Sequence, residues 1–127
     1  MNPTESPNAR DILQSRGATA AFYGLPVLAI VASGFLASGS LWRPIIWVVA
    51  LTTMGLACTV NALRCGRVHC YITGPLFFLG ALVALLDALA IVRLTRTGWS
   101  LLSGALIVAT LVAYYVIEPA LGRYRRA

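Results

Sequence analysis

Apolar and polar positions along this chain fall into long blocks, without the short alternation of a soluble domain. A polar lead, Met1 to Thr19, carries Pro3, Glu5, Pro7, Arg10, Asp11 and Arg16. Four apolar blocks come after it, at Ala20–Ala37, Pro44–Leu63, Ile72–Val92 and Trp99–Ile117. Each is close to the roughly 20 residues a helix needs to cross a hydrocarbon core of about 30 Å. The links Ser38–Arg43, Arg64–Tyr71 and Arg93–Gly98 are short, so consecutive helices must pack antiparallel. Backbone groups in lipid find no water to bond, which excludes an open sheet. The pattern predicts an all-α integral membrane protein: an up-down bundle of four transmembrane helices over residues 20–122, between a polar tail at 1–19 and a basic tail at 123–127. In the lead, Ser6-Pro7 reads as an N-cap with Pro at the first helical position. It predicts a short surface helix to about Arg16, with Ile12 and Leu13 as its apolar edge. The first block, at about 18 residues, exceeds the core of a signal peptide, about 7–15, and reads as a retained helix.

Composition agrees. Apolar residues make up 59% and charged residues 11%, against about 45–50% and about 25% in soluble domains. Mean hydropathy is +0.82. So few charges do not cover the surface of a small domain, which excludes a soluble enzyme, a disordered chain and a disulfide-stapled secreted module. The ten basic residues, all Arg, exceed the four acids by six. They fall in clusters between the apolar blocks, the distribution that stops and orients membrane helices. Nucleic-acid binding would need a basic stripe on one face, so the expected partner is the lipid bilayer and no nucleic acid. The N-terminal tail, second link and C-terminal tail hold seven Arg; the first and third links hold three. That asymmetry predicts both termini in the cytoplasm. Small residues at four-residue spacing, Ala29-Ser33-Ala37, Gly80-Ala84-Ala88 and Ala105-Ala109-Ala113, mark candidate helix contacts.

Candidate chemistry gathers between Cys58 and Cys70. These thirteen positions hold all three cysteines, the only histidine, His69, and the intramembrane polar residue Asn61. A cytoplasmic loop keeps thiols reduced, which argues against a structural disulfide. Cys58 and Cys65 lie two turns apart on a helix, roughly 10 Å, too far for one bridge. Gly66 suits the left-handed residue that ends a helix, and a reversal there brings Cys70 and His69 back toward Cys65. Two thiolates and an imidazole suit a soft or borderline transition-metal ion such as Hg(II), Cu(I) or Zn(II). The predicted metal set is Cys65, His69 and Cys70, with Cys58 and Glu118 as further candidates. The competing role is structural: Cys58 as a small apolar residue, and His69, Arg64 and Arg67 as interfacial contacts. Asp87, inside the third block, is a costly intramembrane acid that reads as functional, or as the partner of Arg93 or Arg43. Glu118-Pro119 lies level with Cys65, where the Pro ends the helix and Glu118 pairs with Arg64, Arg67 or Arg123. Pro75 either opens the third helix or, if the helix begins nearer His69, lies within it. No phosphate-cradling glycine loop, Ser-His-Asp set, paired carboxylates or Cys-x2-Cys is present, so self-contained catalysis is not expected.

The layout resembles the small mercuric-ion importers of bacterial resistance systems, which carry a helix cysteine and a further pair on a cytoplasmic loop. The resemblance rests on the number of spans and on Cys58, Cys65 and Cys70, and departs in the first helix, which has no cysteine. It implies a multi-pass protein of a bacterial inner membrane that binds or transports a soft metal. The alternative is a non-catalytic accessory subunit, packed on a membrane-protein partner or self-associated as a homo-oligomer. A thiol-redox membrane enzyme stands third.

Overall fold

A computed structural model describes residue 9 and residues 11–124; the expected Ser6-Pro7 cap lies outside them. Asp11 caps a 3-10 turn, Ile12–Gln14, by accepting from Leu13 N–H at 2.9 Å. Beyond it run four helices long and apolar enough to cross a membrane: α1 Arg16–Leu36, α2 Trp42–Cys65, α3 Val68–Ala88 and α4 Arg96–Leu121. No strand occurs among the described residues.

The four blocks are recovered, but their ends move for local reasons. Gly66 adopts φ 72° and ψ 26°, the left-handed conformation that closes α2, and its N–H donates to Ala62 C=O. Helix α3 starts only two residues later, so the expected Arg64–Tyr71 loop shrinks to Gly66 and Arg67. His69 and Cys70 thereby fall in the first turn of a helix. Pro75 lies inside α3. At its far end α3 stops at Ala88, and Asp87 Oδ1 accepts from Leu94 N–H of the following link at 2.7 Å. Asp87 thus lies in the last turn of α3, at the end of the candidate span, and ties down the link that follows it.

Pro26 and Pro119 come just after π-helical turns, Ala20–Gly24 and Ala113–Ile117. A proline ring collides with the carbonyl four residues back, and the wider π turn relieves that crowding. Pro119 thus does not end α4, which runs on to Leu121. The π turn also adds a residue to the helical register, rotating the rest of the helix by about 100°, and Glu118 points inward.

Helices α2 and α3 form the spine, with 50% and 44% of their apolar windows buried, against 11% for α1 and 6% for α4. The spine is close because glycine faces side chain along it. A Cβ on Gly74 would sit 3.1 Å from Thr59 Oγ1 and 3.6 Å from Cys58 Cβ, and one on Gly80 would sit 3.0 Å from Leu51. The Gly80 row therefore packs as expected, whereas in the Ala105 row only Ala113 is buried. At one end of the bundle Trp47 Nε1 donates to Ser33 Oγ at 3.2 Å, and the Trp47 and Trp99 rings meet edge to face at 4.9 Å. Between α1 and α4 an apolar cleft of about 250 Å³ opens outward over Trp47, Leu51, Met54 and Phe77.

Candidate functional site

The other end of the bundle is polar inside. Arg67, in the α2–α3 turn, is 2% exposed. Its Nη1 donates to Asp11, and its Nη2 and Nε fork onto Glu118 at 3.1 and 3.4 Å. Glu118 also receives His69 Nδ1 and lies 3.9 Å from the half-exposed Arg123. Asp11 accepts from Leu13 N–H, Asn61 Nδ2 at 2.9 Å and Tyr124 OH at 3.1 Å. Arg123 C=O accepts from Val68 N–H. The two described ends of the chain are thus tied to the α2–α3 turn.

Each charge survives burial because another answers it. Burial pushes the Asp11 carboxyl up, but the hydrogen bonds from Asn61, Leu13 and Arg67, with the charge of Arg67, leave it below its ordinary value. Burial works against the charge on Arg67 as well; Asp11 and Glu118 outweigh it and raise that pKa.

A thiol layer lies directly beneath. Asn61 joins the two: its Oδ1 accepts from Ile12 N–H at 2.8 Å and its Nδ2 reaches Cys70 Sγ at 3.7 Å. His69 spans the two layers: its Nδ1 meets Glu118 and its Nε2 lies 3.5 Å from Cys70 Sγ. Cys58 of α2 and Cys70 of α3 are buried in the same cluster at the contact of the two helices. Thr73 Oγ1 and Tyr23 OH each lie 3.4 Å from Cys58 Sγ. Close approach at Gly74 sets this pair: Cys70 is one turn before Gly74 on α3, where the backbone meets Cys58.

The grouping of the predicted residues therefore changes. Cys65, expected beside Cys70, donates to its own helix at Asn61 C=O, 3.1 Å. Cys58, expected to stand apart, faces Cys70. Glu118 joins through His69, not through a sulfur. All three thiols are free and buried. Among the described residues no three of His, Cys, Asp and Glu converge on a point that could hold a metal ion, so the set Cys65, His69 and Cys70 is not assembled as one coordination sphere. Of the three arginines expected to pair with Glu118, Arg67 does so at 3.1 Å and Arg123 lies 3.9 Å away, whereas Asp11, Tyr23, Thr73 and Tyr124 were not singled out by sequence. Only Asp11 carried a signal: it is one of four acids in the chain.

Comparison with family models, curated proteins and solved structures finds no match for this chain.

Proposed function

We propose that the chain is a multi-pass inner-membrane protein of bacteria, with both termini cytoplasmic, that binds or carries a soft metal ion between the thiolates of Cys58 and Cys70. The observation that supports this reading is that Cys58 of α2 and Cys70 of α3 are both buried in one cluster where Gly74 lets the two helices approach. Two thiolates suit a soft ion that accepts two ligands, Cu(I) or Hg(II). Zn(II), which takes four in structural sites, is the poorer fit. His69 Nε2 lies where it can take the proton that Cys70 must lose. Cys65 has no part.

Titration of the purified protein with Hg(II) and Cu(I) tests this. Cys58→Ser and Cys70→Ser should each abolish tight binding, and Cys65→Ser should leave it unchanged. Affinity should weaken as pH falls, because coordination requires the thiols to lose protons. Equal loss in all three variants, or tight binding retained by the Cys58→Ser/Cys70→Ser double variant, would sink the reading.

A second reading, a non-catalytic accessory subunit, is favoured by α1 and α4, whose apolar windows are 11% and 6% buried, and by the open cleft between them. A wild-type chain that binds no metal and co-purifies with a membrane protein in stable stoichiometry would select it.

A further inference from the structure

The thiol layer is covered at the polar end by a segment that is held almost wholly by polar contacts. Asp11 belongs to the polar lead yet is 3% exposed. Its carboxylate takes Asn61 Nδ2, Arg67 Nη1 and Tyr124 OH. The next residue, Ile12, donates its N–H to Asn61 Oδ1 at 2.8 Å. The turn itself, Ile12–Gln14, buries no residue.

The same side chain of Asn61 meets two thiols. Its Nδ2 reaches Cys70 Sγ at 3.7 Å, and Cys65 Sγ–H donates to its backbone C=O at 3.1 Å and approaches its Oδ1 at 3.6 Å. Asn61 is 0% exposed and bonds both to the cover and to the sulfurs. A three-residue turn with little apolar burial belongs to the low-stability end of a structure and opens without unfolding the rest.

We propose that residues 11–14 are a removable cover that controls access to the thiols of Cys65 and Cys70. When it lifts, Asn61 loses the Ile12 and Asp11 contacts and meets water, and reagents reach the sulfurs behind it. The cover stands on thiol accessibility alone; its use as the metal entrance rests on the proposed function.

The test is the rate of N-ethylmaleimide modification at each cysteine, mapped by peptide mass spectrometry on the purified full chain in detergent. Asp11→Ala removes the carboxylate. Ile12→Pro removes the N–H, with the side chain exchanged for the ring, and keeps every charge. Ser33→Ala, which breaks the Trp47 contact at the opposite end, controls for general loosening. Loss of a charge-assisted or buried hydrogen bond shifts an opening equilibrium by roughly tenfold or more. Both cover variants should therefore label Cys65 and Cys70 at least about tenfold faster, with Asp11→Ala the larger effect because it also unpairs Arg67, and Ser33→Ala at the wild-type rate. Unchanged labelling in either folded cover variant, or equal acceleration in Ser33→Ala, overturns the cover. Should either variant lose its helical signal, the wild-type chain decides. The opening equilibrium from amide exchange at Ile12 must match the one that limits Cys70 labelling, and a much rarer Ile12 opening overturns the cover. Faster labelling in chains that bind no Hg(II) leaves the cover standing and removes the metal reading; tight Hg(II) binding with unchanged labelling does the reverse.

Discussion

Arg67 shows how much one buried side chain can hold. It answers two carboxylates, Asp11 and Glu118, that belong to opposite ends of the chain. Removing one member of a buried ion network leaves the others uncompensated, at a cost of about 3–5 kcal/mol. Arg67→Leu should destabilise the protein by that order in a denaturant titration, whereas Arg64→Leu, on an exposed residue three positions earlier, should change stability by no more than about 0.5 kcal/mol. Equal effects would mean that the network is not closed. The two arginines look alike in sequence, and both read as orienting charges. Burial distinguishes them, and burial depends on where Asp11 and Glu118 arrive from, 56 and 51 positions away.

The α2–α3 pair carries the site because glycine allows the two backbones to meet. At Gly74 a β-carbon would press on Thr59 Oγ1 at 3.1 Å, and the larger Gly74→Val must push the helices apart. Overpacking of this kind costs about 1–3 kcal/mol, and here it should also separate Cys58 from Cys70. The expected result is lower stability together with weaker Hg(II) affinity in the same titration. Gly34→Ala, with nothing within 4 Å of the added carbon, should leave affinity alone and stabilise α1 by up to about 1 kcal/mol. If Gly74→Val keeps wild-type affinity, the thiols do not depend on this contact. That helices occupy these blocks was legible, because a run of apolar residues long enough to span is itself the signal. The individual turns were not. Whether Pro75 begins α3 or lies within it depends on where α2 ends, and a π turn before Pro119 leaves no periodic trace in a chain apolar on every side.

At the scale of the molecule, both described ends lie beside the α2–α3 turn, since Tyr124 OH donates to Asp11. The links before α2 and before α4 lie at the opposite end, with Trp47, Trp99 and Arg43, whose guanidinium stacks 4.8 Å over the Trp99 ring. Single cysteines at Ser40 and Thr97, in a background lacking the native three, should therefore react from one side of the membrane. With the termini cytoplasmic, an impermeant maleimide should label both on intact cells and spare cysteines at Asn8 and Ala127. The converse pattern would invert the orientation, and labelling on only one of Ser40 and Thr97 would break the four-span topology.

Sequence alone determined the class, an all-helical chain with four long apolar segments, and the short region that holds its thiols and imidazole. These depend on composition and run length, which are local properties. It also drew attention to Asn61, a polar group where apolar ones are expected, and to Glu118 at the end of the fourth block as a partner for the nearby arginines. Only the tertiary structure decided the partners. Cys58 faces Cys70 because Gly74 lets α3 approach α2, and Cys65 turns away because its sulfur finds a carbonyl on its own helix. Asp11, in a lead that reads as solvated tail, closes the polar end because Asn61 and Arg67 offer it donors. Pairings of this kind join residues far apart in the chain, and only packing brings them within reach of one another.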